Sequence, residues 1–199
     1  MSKASNASAM MQTAQIWKEQ SHCVRLKVGA VLAANGKIIS HGYNGTPRGF
    51  RYNCDEIFKF GNGKFYINFG KIDKLHFTFS KGFGAELMKY DGFMEVSEED
   101  WRNAHHEFSD VYEVHAEPNA ILSAFTDGTN YSPSDMVLFV TTAPCEMCCK
   151  LIGQCGIKTV VYSDCYDRFG IENIESILAN FDVKIYRIDD YIEMLKKLK

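Results

Sequence analysis

The chain has 199 residues, 46% of them hydrophobic, which suits one domain of ordinary size with a real core and room for an insertion. A formal net charge of −3 argues against a protein that grips long polyanions and favours a small substrate. The N-terminus lacks a charged-then-apolar signal pattern and no window approaches the roughly 18 apolar residues of a membrane span, so a soluble, cytoplasmic protein without a membrane partner is expected.

Apolar residues at helical spacing (Met10, Ala14, Trp17) predict a first helix over Met10 to Gln20, ending near Ser21 or His22. Val28 to Leu32 and Lys37 to Ser40 read as strands joined by Asn35-Gly36, a strong two-residue hairpin signal. Gly42 to Gly49 reads as a loop. From about Arg51 to Asn103 the chain is aromatic-rich and glycine-punctuated, suggesting short strands or loops. The segment at about 56–102 is expected to be an insertion in a single domain spanning 1–199 rather than a second domain. Beyond it, helices over Ala116 to Thr126, Glu146 to Gln154, Ile171 to Asn180 and Tyr191 to Leu198 alternate with strands over Met136 to Thr142, Thr159 to Tyr162 and Val183 to Ile188. Helices separating strands imply an α/β fold whose mixed sheet is covered on its faces.

Seven cysteines stand at 23, 54, 145, 148, 149, 155 and 165, an odd number that speaks against a disulfide framework. The sharpest chemical signal is His115-Ala116-Glu117, followed about thirty residues later by Pro144-Cys145-Glu146-Met147-Cys148. Each motif falls where a helix is expected to start, and residues three apart share a helix face, so Cys145 and Cys148 can meet one ion near the positive end of a helix dipole. Two thiolates and one imidazole leave the fourth tetrahedral position of zinc open, the catalytic pattern, in which bound water is acidified toward neutrality. Glu117 is placed to act as general acid/base. This H-x-E and P-C-x-x-C combination is a known signature of zinc deaminases. Cys149, four residues from Cys145, could compete as a ligand but reads as a buried thiol. Pro118 falls in the first turn of its helix, where it costs little.

The residues quoted so far, with S-x-C-x-x-x-K-V-G-A-V at Ser21 to Val31, G-Y-N-G-x-P-x-G at Gly42 to Gly49, N-C-D at Asn53 to Asp55 and C-G-I-K-x-V-V-Y at Cys155 to Tyr162, resemble the deoxycytidylate deaminases of the cytidine-deaminase superfamily, in the form carried by T4-like phages. The resemblance implies a three-layer α/β/α fold with a mixed five-stranded sheet, and hydrolysis of dCMP to dUMP and ammonia, supplying thymidylate synthesis. It implies nucleotide contacts at Asn44 and Ala116, with Gly42, Tyr43, Gly45 and Arg48 in the nucleotide or effector loop. For Asn44 the alternative is a plain turn residue, and for Arg48 a solvated loop arginine.

The resemblance also implies a homo-oligomer, a hexamer favoured, with dCTP and dTTP as effectors and Mg²⁺ accompanying a triphosphate. Thr126 stands where the phage form carries an arginine, which bears on that control. A second zinc site is implied at Cys23, Cys54, His105 and Glu113, with His106 an alternative to His105. Three other readings remain: deamination of polynucleotide cytosine or of tRNA adenine, of another cytosine nucleotide or nucleoside, and a non-enzymatic zinc module. No nucleic-acid partner is expected.

Overall fold

The computed structural model describes residues 2–72, 75, 92–165 and 170–198. In chain order its elements are α1 (Lys3–Lys18), β1 (Gly29–Ala34), β2 (Lys37–Tyr43), α2 (Cys54–Ile57), β3 (Phe58–Gly61), β4 (Lys64–Asn68), α3 (Phe69–Ile72), β5 (Phe93–Val96), α4 (Glu98–Tyr112), α5 (Ala116–Thr126), β6 (Met136–Thr142), α6 (Glu146–Cys155), β7 (Thr159–Asp164), α7 (Ile171–Ala179), β8 (Lys184–Arg187) and α8 (Ile188–Lys197). The chain's contacts divide it into two compact units. One holds Met1–Ser21, Lys27–Asn44 and His115–Lys199, the other His22–Leu26 and Gly45–Val114.

The first unit is built on a five-stranded sheet in the order β2-β1-β6-β7-β8. β1 pairs antiparallel with both β2 and β6, whereas β6, β7 and β8 run parallel, so the sheet is mixed as the alternation of helices and strands implies. Asn35 and Gly36 both take positive φ, 51° and 74°, the pair of left-handed residues that a two-residue hairpin turn needs. Strand alternation sends Leu32, Leu138 and Val160 to one face, where they pack with Ala116, Ala120, Ile121, Ile152, Ile174 and Leu178 of the helices α5, α6 and α7. Val31, Phe139 and Val161 go to the other, against Ala7, Met10, Met11 and Ala14 of α1 and Tyr191, Ile192 and Leu195 of α8. Every residue of β1 is buried, so each large side chain there removes apolar surface from water worth about 1.5–3 kcal/mol.

Several boundaries differ from the sequence expectation. α1 starts at Lys3 rather than Met10 because Ser2 caps it, its Oγ accepting from the Ser5 N–H at 3.1 Å, and alanines carry the first turns. It ends at Lys18 because Glu19, Gln20 and Ser21 donate to carbonyls three residues back, tightening the last turn. β2 runs on through Gly42 and Tyr43, which were expected in the loop; ladder pairing with Gly29 and Ala30 holds them extended. Near the C-terminus β8 is shorter, Lys184–Arg187, and α8 begins earlier, at Ile188, with Asp189 and Asp190 in its first turn favouring that start.

The second unit has its own core of Ile57, Phe58, Ile67, Phe69, Ile72, Trp101, Ala104 and Phe108. Its antiparallel sheet has the order β3-β4-β5, with Asn62-Gly63 turning β3 into β4 at φ 52° and 72°. The short strands expected here are present, but α4 was not expected. Ser97 caps it by accepting from the Asp100 N–H, three acids fill its first turn, and Trp101, Ala104, His105 and Phe108 recur at helical spacing on its buried face. The phrase His76 to Leu87, which also suggested strands or loops, lies outside the described residues.

Candidate active site and metal centres

Two helix starts assemble the first constellation. β6 ends at Thr142, the Ala143 N–H donates to the Asp164 carbonyl at 2.8 Å, and Pro144 turns the chain into α6 with Cys145 as its N-cap residue. His115 is the N-cap residue of α5, and neither side chain caps its own helix. The His115 Nδ1 lies 3.4 Å from the Sγ of Cys145 and 3.4 Å from that of Cys148, and the three donor atoms all fall within 4.8 Å of one another. Zinc bonds of about 2.3 Å to sulfur and 2.0–2.1 Å to nitrogen, at a tetrahedral angle, put a thiolate and an imidazole nitrogen about 3.6 Å apart. The donor set and its spacing therefore fit a zinc ion. Burial is graded across the set, with Cys148 buried, Cys145 half-buried and His115 exposed, so the open side is at the histidine.

Glu117 sits in the first turn of α5 with 3% of its surface exposed. A helix N-terminus favours a carboxylate, but loss of solvent dominates here and pushes its carboxyl up to about 7; the charge of His115 works in the opposite direction. The two thiols shift in opposite directions. Cys145 is drawn down to about 4, chiefly by its hydrogen bond with Cys148, while Cys148 is pushed up by the same bond and by burial. Cys149 is fully buried with its Sγ 4.0 Å from the Pro144 carbonyl, and burial raises its thiol to about 12. It lies in the core on the far side of α6's first turn, outside the donor cluster.

A second donor cluster lies in the other unit. The His105 Nε2 is 3.4 Å from the Cys54 Sγ and 3.8 Å from the Cys23 Sγ, all three residues are buried, and their donor atoms lie within 4.8 Å of one another. One thiol is again drawn down, Cys23 to about 3, first by its hydrogen bond with Cys54 and then by His105; Cys54 is raised. The carboxylate of Glu113 is not in this three-membered group. It accepts from the Ser109 hydroxyl at 2.8 Å, and its charge contributes to raising the Cys54 thiol. His106 points elsewhere, its Nδ1 2.8 Å from Asp110. Adjacent residues of one helix cannot share a face.

The expected nucleotide residues are placed as follows. Gly42 lies flat on α5: a Cβ there would collide with the Ala116 carbonyl oxygen and come within 2.5 Å of the Ala120 nitrogen. Ala116 is thus fully buried as the first residue of α5. The Tyr43 carbonyl accepts from the Asn119 side chain at 2.8 Å. Asn44 is not a plain turn residue: it is buried, and its side-chain oxygen accepts from the Val28 N–H at 2.7 Å and from the Ser21 hydroxyl at 2.9 Å. In the other unit Gly45 bridges to Val114 by two backbone bonds, and Arg48 sits on an exposed turn beside Gly49 at φ 82°. Thr126, at the end of α5, donates back to the Leu122 carbonyl at 2.8 Å. Sequence reasoning used Ser21 only as a motif letter and a helix end, and gave Asn119 no role. Both prove to be ties between segments that carry site residues, and no spacing rule marks such a role.

Comparison with known proteins matches residues 4–164 to the cytidine and deoxycytidylate deaminase zinc-binding region. The chain is 36% identical over 185 residues to a deoxycytidylate deaminase of Enterobacteria phage T2, covering 92% of each, and 35% identical over 185 residues to that of phage T4, covering 92% of this chain and 89% of the relative. Among solved structures, the dCMP deaminase of cyanophage S-TIM5 in complex with dCMP and dUMP is similar with a TM-score of 0.58 at 27% identity, covering 90% of this chain and 94% of that one. With a matching fold, a zinc-compatible donor set at two helix starts and homology over nearly its whole length, the chain belongs to the cytidine and deoxycytidylate deaminase family and is a zinc-binding hydrolytic deaminase.

Proposed function

We propose that the protein deaminates dCMP to dUMP, with His115, Cys145 and Cys148 holding the catalytic zinc and Glu117 moving the protons. The observation that carries this reading is the buried Glu117 carboxyl two residues from a zinc-compatible set of three donors. When bound, zinc supplies a Lewis acid that makes water nucleophilic near neutral pH. The residues do the rest. Glu117 takes the proton released as water adds to C4 of the cytosine and delivers it to the ring nitrogen; it then takes the proton of the new C4 hydroxyl and passes it to the amine, so that the C4–N bond breaks, the C4 carbonyl forms and ammonia leaves. Burial excludes the bulk water that would otherwise compete for that proton. Asn44 and Ala116, beside the strand end of Gly42 and Tyr43, are read as contacts for the nucleotide, with Gly45 and Arg48 in the phosphate or effector loop.

The choice of dCMP rests on the phage relatives, which bear that activity in their names over nine-tenths of this chain. Cys23, Cys54 and His105, completed by Glu113, are read as a second zinc site whose role is structural; closed sites of this kind hold segments that lack regular structure of their own. The segment at about 56–102 is read as an insertion in one deaminase domain. A homo-oligomer responding to dCTP and dTTP, with Mg²⁺ on the triphosphate, completes the reading on the family resemblance.

The test is ammonia release from dCMP, CMP, dCTP, deoxycytidine and single-stranded DNA, with and without dCTP or dTTP. dCMP should be the best substrate, and Glu117→Gln should lower its turnover by roughly 10²- to 10⁴-fold while zinc content is unchanged. Near-normal turnover by that variant would overturn the assignment of Glu117, and comparable kcat/KM for deoxycytidine would move the substrate to nucleosides.

A further inference from the structure

Asn44 is built in as more than a loop residue. Its backbone N–H donates to the Val28 carbonyl at 3.1 Å, and the Val28 N–H donates to its side-chain oxygen at 2.7 Å. The Ser21 hydroxyl lies 2.8 Å from the Asn44 carbonyl oxygen and 2.9 Å from the Asn44 Oδ1. Ser21 itself is only 3% exposed. All of these residues belong to one compact unit.

The chemistry of the partners decides which way the carboxamide points. A backbone N–H can only donate, so the atom facing Val28 must be the oxygen and not the nitrogen. Ser21 faces two atoms that can only accept, which makes its hydroxyl the donor. With its oxygen held from two sides, the amide cannot flip without leaving the Val28 N–H opposed to another donor. Its N–H edge is therefore the edge turned away from Val28 and Ser21.

We propose that Ser21 is a positioning residue for nucleotide binding: with the Val28 N–H it locks the Asn44 carboxamide so that Asn44 meets the nucleotide as a hydrogen-bond donor and reads an acceptor atom of the sugar or base. This rests on the reading of Asn44 as a nucleotide contact. It accounts for a buried serine just past the end of α1 that has no part in either donor cluster. It also assigns a polarity to the contact: a nucleotide analogue presenting a donor at that point is refused.

Steady-state kinetics with dCMP on the zinc-loaded enzyme tests it through the split between KM and kcat. Ser21→Ala should raise KM by roughly three- to tenfold with kcat within about twofold, the signature of lost binding rather than lost chemistry. Asn44→Asp keeps an oxygen for Val28 and Ser21 but removes the donor edge, and should raise KM further. Because the two residues act through one contact, adding Ser21→Ala to Asn44→Asp should change KM little. Ser21→Thr keeps the hydroxyl and should retain the unmutated KM.

Each alternative outcome has its own meaning. If Asn44→Asp raises KM while Ser21→Ala does not, the lock is overturned and the contact survives. Unchanged KM in both removes the reading of Asn44 and the inference with it. Equal KM increases from Ser21→Ala and Ser21→Thr, or a fall confined to kcat, would show a packing role and overturn the proposal; the threonine variant decides the matter if the alanine variant does not fold.

Discussion

Individual side chains in the catalytic unit are set by steric and solvation limits with definite consequences. Gly42 has no room for a methyl group, because α5 begins directly above it with the turn that carries Glu117. Gly42→Ala should cost about 1–3 kcal/mol of stability, the usual penalty of overpacking, and should lower kcat as that turn is pushed outward. A melting scan with parallel kinetics checks it, and a variant unchanged in both would show that β2 and α5 yield to each other freely. Cys148 and Cys149 are neighbours in sequence with opposite environments, one beside His115 and the other in the core. Cys148→Ala should lose the zinc of the catalytic cluster. Cys149→Ala should keep it and lose only about 1–2 kcal/mol for the small cavity. The reverse pattern in metal analysis would make Cys149 the ligand.

Among the elements, α4 separates two adjacent histidines by the direction in which each points. His105 stacks on Trp101 with ring centroids 5.1 Å apart and lies against both cysteines, while His106 faces Asp110 at the surface. His105→Ala should therefore deplete zinc and lower the melting temperature, and His106→Ala should do neither. Equal zinc content in the two variants would remove the histidine from the second site. α5 and α6 make the corresponding point for the catalytic cluster. Their N-cap residues, His115 and Cys145, supply two of the three donor atoms from positions that precede the first helical turn. A one-turn separation then puts Cys148 within reach of the same ion that Cys145 would hold.

At the scale of the molecule, the described residues carry two zinc-compatible clusters, one in each compact unit. Metal analysis of the purified protein should find close to two zinc ions per chain. Cys54→Ser should bring this toward one and lower the melting temperature, since metal binding energy to a closed site is folding energy. A content of one zinc in the unmutated protein, unaffected by Cys54→Ser, would leave the second cluster as a pair of thiols beside a histidine. At the same scale the net charge of −3 predicts little affinity for single-stranded DNA and a shallow salt dependence of catalysis. Activity on DNA that falls steeply with salt would contradict it.

Much of this was legible in the sequence. Period-2 and period-3.6 patterns located the sheet and the helices that cover it, with α5 and β6 placed to the residue, because burial of alternate faces acts directly on residue type. His115, Glu117, Cys145 and Cys148 stood out because metal and proton chemistry admit few residue types at short, regular separations. The start of α1 and the whole of α4 were signalled more weakly, by Ser2 and Ser97, whose capping role depends on a backbone geometry that composition does not reveal. Only the tertiary structure decided the rest. That Cys23, Cys54 and His105 meet across 82 residues, and that Ser21 reaches 23 residues forward to Asn44, are results of chain packing. Contacts between distant segments leave no periodicity in the sequence, so they can be suggested by resemblance but established only where the folded chain brings the atoms together.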